Sequence, residues 1–251
     1  MKNEEIQKIV ENYWVNGAEG YSDRIKGELC SPLRDVWREE IAKHMPNGDA
    51  LDILDIGTGP GFFSIILAMS GHKTTGIDCT DEMLNEARMN AKNADVEANF
   101  SKMDAHTLFF QNDSFDLVIC RNVTWSLYDP EKAYLEWRRV LRPGGRLLIF
   151  DSNWGHKCYF EEVRMKTEEN EKCFREKFGE IPLANKVDES YIDKMFLSDK
   201  IRPTWDKEVL SSLGFSVYTK ENLSESLWDE QTKLVYGATP MFLIVAEKKE
   251  E

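Results

Sequence analysis

The chain has 251 residues, enough for one or two domains and a proper hydrophobic core. Hydrophobic residues make up 41% and aromatic residues 11%, which excludes a disordered chain. The formal charge of −13 repels polyanions, so nucleic acid is not an expected partner.

In chain order, Ile6, Ile9, Val10, Tyr13 and Trp14 are spaced as one face of a helix, and Val36, Trp37 and Ile41 mark a second. Asn47-Gly48-Asp49 breaks the pattern. Leu51, Ile53, Leu54 and Ile56 form an apolar run ending in glycines, as a buried parallel strand does. A helix is expected from Phe62 to Ser70, stopped by Gly71. Thr74 to Ile77 reads as a second strand ending at Asp78, and Thr80 is placed to cap the next helix, with Asp81 and Glu82 in its first turn. A third strand ends near Asp104, and Phe115 to Cys120 is a fourth. Asp129-Pro130 opens a helix with Ala133, Trp137, Val140 and Leu141 inward, which Pro143-Gly144-Gly145 stops. Leu147 to Phe150 is the fifth strand.

This alternation predicts an α/β fold: a Rossmann-like, doubly wound, mostly parallel sheet of seven strands with helices on both faces. Val209 to Leu213 closes a helix. Phe215 to Thr219 and Met241 to Ala246 then follow without a full crossover helix, so an antiparallel pair should finish the sheet. With no repeat or linker, a single domain is expected: N-terminal helices over 1–46, a core over 50–151, a charged aromatic helical insertion over 152–203, and a terminal helix and strands over 204–247. Because the insertion leaves the carboxyl end of a central strand, it is expected to form a lid over a site.

Cys30, Cys79, Cys120, Cys158 and Cys173 lack the paired spacing of a zinc site or a disulfide framework, so no metal is expected. The start, MKNEEIQKIVENYW, is too acidic for a leader, and no apolar run approaches bilayer length. A cytoplasmic chain without a membrane partner is expected.

The most informative segment is Asp55-Ile56-Gly57-Thr58-Gly59-Pro60-Gly61-Phe62, between a strand and a helix. Glycines there let a ligand approach the backbone. A dinucleotide fingerprint puts its third glycine where Phe62 stands, and a phosphate loop needs Gly-Lys-Ser/Thr, which is absent. The loop therefore suits a nucleoside ligand without a pyrophosphate. Asp78, ending the second strand, can accept both ribose hydroxyls, and Asp104 is placed to meet an adenine amino group.

LDIGTGPG (54–61), GID (76–78), MDA (103–105), FDLVICRN (115–122) and LRPGG (141–145) together resemble the class I S-adenosylmethionine-dependent methyltransferases, strongly over residues 50 to 151. Tyr13, Trp14, Ala18 and Tyr21 resemble a segment that closes over the methionine part of the cofactor. The resemblance implies that Gly57, Thr58, Gly59 and Gly61 form the loop along the methionine and ribose portion. It implies that Asp78 holds the ribose, Cys79 and Met83 flank adenine, and Asp104 and Ala105 meet its edge. Arg121 and Asn122, with Tyr21, would contact the methionine end. Asp55 matches an acidic position that orients the cofactor's amino group. S-adenosylmethionine is thus the implied cofactor and S-adenosylhomocysteine its product.

A methyl group on a sulfonium is already electrophilic, so such an enzyme mainly aligns a nucleophile and excludes water. His156 and Tyr159, just past the fifth strand, are the candidates by position for a general base. Methyl transfer to a small molecule is the expected function. Protein or RNA as acceptor, or a scaffold that binds the cofactor without catalysis, stay open, as does the oligomeric state.

Overall fold

A computed structural model describes residues 3–181 and 189–249. Seven strands form one sheet in the order β3-β2-β1-β4-β5-β7-β6. These are β1 (Asp52–Ile56), β2 (Lys73–Asp78), β3 (Asn99–Lys102), β4 (Phe115–Arg121), β5 (Leu141–Asp151), β6 (Phe215–Lys220) and β7 (Phe242–Lys248). The first five are parallel, and β7 runs antiparallel between β5 and β6.

The central strands are buried on both faces, which is why their sequences read as unbroken apolar runs. Ile53, Leu117, Ile119, Leu148 and Phe150 join one core layer, and their neighbours Leu54, Val118, Cys120, Leu147 and Ile149 join the other. Against the first layer pack α1 (Asn3–Leu29), α2 (Leu33–Ala42) and α3 (Phe62–Ala68). The second takes α5 (Pro130–Val140) and α9 (Thr204–Ser212). The helix α4 (Asp81–Asn93) connects β2 to β3 and packs on α1.

Three local readings change. The fifth strand begins at Leu141, so Pro143-Gly144-Gly145 lies inside it, opposite an irregularity between Phe115 and Leu117. Proline disfavours helical backbone at Arg142, and Leu141 is already extended (φ −73°, ψ 137°), so α5 ends before the glycines. Thr80 sits at the N-terminus of α4 without capping it: its hydroxyl donates instead to Asp78 Oδ1 at 3.0 Å. Between β6 and β7 lie two short helices, α10 (Ser224–Leu227) and α11 (Glu230–Tyr236).

The segment after β5 differs most from the expected cover. It contains α6 (His156–Tyr159), α7 (Glu161–Phe178) and α8 (Glu189–Ile192); its residues 182–188 lie outside the described ones. Only Asn170 and Phe174 of α7 are buried, and α7 packs on α11. Tyr191, Ile192 and Met195 join Ile6, Val10 and Trp125 in a small core of their own. Arg202 is buried at the sheet end. Part of the segment is thus anchored in the fold through these apolar residues.

Candidate active site

The strand β1 runs into a loop in which Gly57, Gly59 and Gly61 all have positive φ. Gly59 (φ +52°) is the position where ligand access depends on the missing side chain: a Cβ would point to within 3.7 Å of Tyr21 Cε1 and 4.0 Å of Met83 Sδ, into open space between them. At Gly61 (φ +92°) a Cβ would press on Ala87 of α4 at 3.2 Å, so this glycine serves helix packing. The loop is held from below. Thr58 N–H donates to Ile77 O at 2.8 Å, and Asp55 Oδ2 accepts from Thr58 Oγ1 (2.6 Å), Ser64 N–H (3.0 Å) and Ser64 Oγ (2.8 Å).

Burial raises the Asp55 carboxyl from 3.8 to about 6 against these three donors. Below about pH 4 the group is neutral folded and unfolded; as pH rises to about 6 the unfolded chain releases its proton first, so stability falls through that window and then levels. Relative to the parent, Asp55→Asn is therefore expected to gain about 3 kcal/mol between pH 4 and 7, measured by urea denaturation. A difference independent of pH would refute the buried neutral carboxyl.

A cavity opens at the carboxyl ends of β1, β2 and β4, where sheets of this kind bind ligands. Of the residues singled out from the sequence, it brings together Tyr21, Gly57, Gly59, Asp78, Cys79, Met83, Ala105, Arg121 and Asn122. Asp78 is buried, which raises its pKa, and is bonded: Oδ2 accepts Gly59 N–H at 3.1 Å and Oδ1 accepts Thr80 N–H at 3.0 Å. The carboxylate thus braces the loop while facing the cavity, with acceptor capacity to spare. Arg121 Nη1 donates to Glu28 Oε2 of α1 at 2.7 Å, and its guanidinium lies over Phe62, 4.6 Å from the ring centre. Asn122 Oδ1 is buried with no hydrogen-bond partner, an acceptor left for a ligand.

Asp55, Thr58 and Gly61 stand behind the loop rather than along the cavity. Asp104 does not line it either: its carboxylate accepts His106 N–H (2.8 Å), contacts His106 Nδ1 (2.6 Å) and accepts the Tyr128 hydroxyl (3.0 Å), leaving the wall to Ala105. Nor do His156 and Tyr159. His156 Nε2 lies 2.8 Å from Lys200 O, and the Tyr159 hydroxyl donates to Asp193 O, both within the same inserted segment. Sequence reasoning passed over Val10, Met103 and Leu127 as cavity walls. Val10 and Trp14 were read as one helix face, the signal that places both there.

A second cavity, about 570 Å³, shares Trp14, Tyr21 and Asn122 with the first. Its other walls include Tyr13, Trp125 and Trp154, together with Arg24, Trp228, Thr232 and Tyr236, which the sequence reading did not single out. The four-residue spacing of Trp228, Thr232 and Tyr236 is the only local signal they carry. Among the described residues, no cluster of three or more His, Cys, Asp or Glu could hold a metal, and no helix is long and apolar enough to cross a membrane.

Residues 54–149 match the family described as a methyltransferase domain. The chain is 36% identical over 108 residues to a ubiquinone biosynthesis O-methyltransferase of Aeromonas salmonicida, a match covering 43% of this chain and 45% of that one. It thus spans less than half the length of that relative. Among solved structures, a putative S-adenosyl-L-methionine-dependent methyltransferase from Methanococcus maripaludis superposes with a TM-score of 0.61 at 20% identity over 94% of both chains. A phosphoethanolamine N-methyltransferase from Haemonchus contortus, in complex with phosphomonomethylethanolamine and S-adenosylhomocysteine, reaches 0.61 at 19% identity, covering 85% of this chain and 53% of that one. At these identities the structural likeness is one of fold.

Proposed function

The chain belongs to the class I S-adenosylmethionine-dependent methyltransferase superfamily, and on that premise we propose that it moves a methyl group from S-adenosylmethionine to a small-molecule acceptor. The observation that carries this reading is the cavity in which the bare backbone of Gly59 and the Asp78 carboxylate meet at the strand ends. Gly57 and Gly59 admit the ribose and methionine portion, Asp78 accepts the ribose hydroxyls, and Cys79, Met83 and Ala105 enclose the base. Burial beside Asp78 holds the Cys79 thiol protonated, so it serves as a soft wall and not as a nucleophile. Arg121 offers positive charge, and Asn122 Oδ1 an acceptor, to the methionine end. Asp55 and Thr58 brace the loop, Gly61 lets α4 approach it, and Asp104 fixes the turn that presents Ala105.

The bound cofactor supplies a methyl group already activated by its sulfonium. The chain's part is to orient the acceptor against it and to exclude water, which the rings shared between the two cavities, Trp14 and Tyr21, are placed to do. A small acceptor suits the aromatic-walled second cavity and agrees with the ubiquinone biosynthesis O-methyltransferase names among the curated relatives. The five cysteines form no disulfide among the described residues, which suits a reducing, cytoplasmic compartment.

Calorimetry tests this reading. S-adenosylhomocysteine is expected to bind the parent and NAD is not. Asp78→Asn should weaken S-adenosylhomocysteine by roughly 10- to 100-fold, the worth of a charge-assisted pair of hydrogen bonds. Unchanged affinity in that variant, or NAD bound in preference, would overturn it.

A further inference from the structure

The second cavity has an unusual lining. Seven of its ten residues are Tyr or Trp, and the others are Arg24, Asn122 and Thr232. Its rings fall in two packed groups: Trp154 meets Tyr236 edge-on at 5.1 Å, and Trp14 meets Tyr21 at 5.5 Å. Their polar edges are engaged elsewhere, since Trp154 Nε1 donates to Asp151 Oδ1 at 3.0 Å and Trp125 Nε1 to Asn122 O at 2.9 Å. Such walls select a flat apolar body.

The charges are as informative. Arg24 and Arg121 share a single carboxylate, Glu28, at 3.3 and 2.7 Å. Arg24 also bonds the Tyr236 hydroxyl, a neutral partner. Among the described residues that line the second cavity, Arg24 is the one charged side chain. Among the described residues that line the second cavity there is no Asp, Glu, His, Lys or Cys to take a proton from an acceptor. The Tyr236 hydroxyl cannot do so, because burial pushes its ionisation far above neutrality.

Resting on the methyltransferase reading, we propose that the second cavity takes a flat apolar organic acid, an aromatic carboxylate or acidic phenol, which arrives ionised, is paired by Arg24 and is methylated on its charged oxygen. The oxygen's lone pair forms the new O–C bond as the C–S bond breaks with its electron pair going to sulfur. An anion and a sulfonium become two neutral groups, and no proton changes hands. Such a step needs no base, and charge neutralisation is favoured against aromatic walls. Aromatic rings alone would suit an amine equally well. Arg24 decides against it, since methylating an amine forms a cation beside a guanidinium.

The test uses protein saturated with S-adenosylhomocysteine and three probes of one shape: 2-naphthoate, 2-naphthamide and 2-naphthyltrimethylammonium, titrated by calorimetry. The naphthoate is expected to bind at least tenfold more tightly than either other probe. Arg24→Gln should abolish that preference and Arg24→Lys should restore most of it, which separates charge pairing from a structural role. Pentafluorophenol, ionised at neutral pH, forms a further arm, and the tighter of the two anions identifies the acceptor as carboxylate or phenolate. A cationic probe that binds as tightly as the naphthoate, or a preference for anions that survives in Arg24→Gln, overturns the proposal. S-adenosylhomocysteine binding is recorded in the same titrations. Its failure alone would sink the cofactor reading and leave the anion preference separately measured.

Discussion

Replacing Gly59 by valine is expected to weaken S-adenosylhomocysteine binding by more than about a hundredfold while leaving most of the fold intact. Two effects add. Valine at φ +52° is held in a left-handed conformation that costs about 1–3 kcal/mol for a branched side chain. Its methyl groups also enter the space between Tyr21 and Met83, where the ligand belongs. Gly61→Ala is the contrasting variant. Its Cβ presses on Ala87 and not into the cavity, so it should lower thermal stability more than it lowers affinity. Calorimetry with circular dichroism reads both quantities. A folded Gly59→Val protein that binds the product like the parent would remove the loop from the site.

Arg202→Met is expected to destabilise the protein by about 3–5 kcal/mol, a fall in Tm of about 6–20 °C. The guanidinium is buried, donating to Asp206 at 2.8 and 3.0 Å, to Asp151 at 3.3 Å and to Thr124 Oγ1 at 2.5 Å. Among the described residues Asp206 otherwise has only the Tyr134 hydroxyl, at 2.5 Å, so without Arg202 it is left a buried uncompensated charge. Asp151 is better supplied, accepting also from the Thr124 hydroxyl and the Trp125, Ser152 and Trp154 N–H groups. Methionine keeps the apolar contact with Phe242 that the guanidinium now makes, so the loss isolates the charge. Arg202→Met with Asp206→Asn should therefore lose at least about 1 kcal/mol less than the sum of the single variants. Urea denaturation measures the cycle, and a single-variant loss below about 1 kcal/mol would contradict it. Because Asp151 also holds Trp125 and Trp154, the variant should loosen the second cavity as well.

Several features of this protein follow from its sequence alone, because each has a local physical cause. Strands buried on both faces are mostly apolar, so Ile53, Leu54 and Ile56, Leu117 to Cys120 and Leu147 to Phe150 announce themselves. A loop that turns through positive φ favours glycine, so Gly57 and Gly59 mark the cavity's rim and Gly61 the helix packing behind it, and an acid at a strand end marks Asp78. Tertiary structure decided the rest. The insertion of β7 between β5 and β6 rests on pairings such as Arg146 with Glu247, about a hundred residues apart, which no local period encodes. Asp104 and His156 look available in sequence and are bonded elsewhere by partners that folding delivers. The second cavity gathers Arg24 from α1, Trp125 from the turn after β4, Trp154 from the segment after β5, and Tyr236 from α11. Each is locally an ordinary amphipathic or core position. Their shared chemistry exists only where the packing of four distant segments excludes water around them.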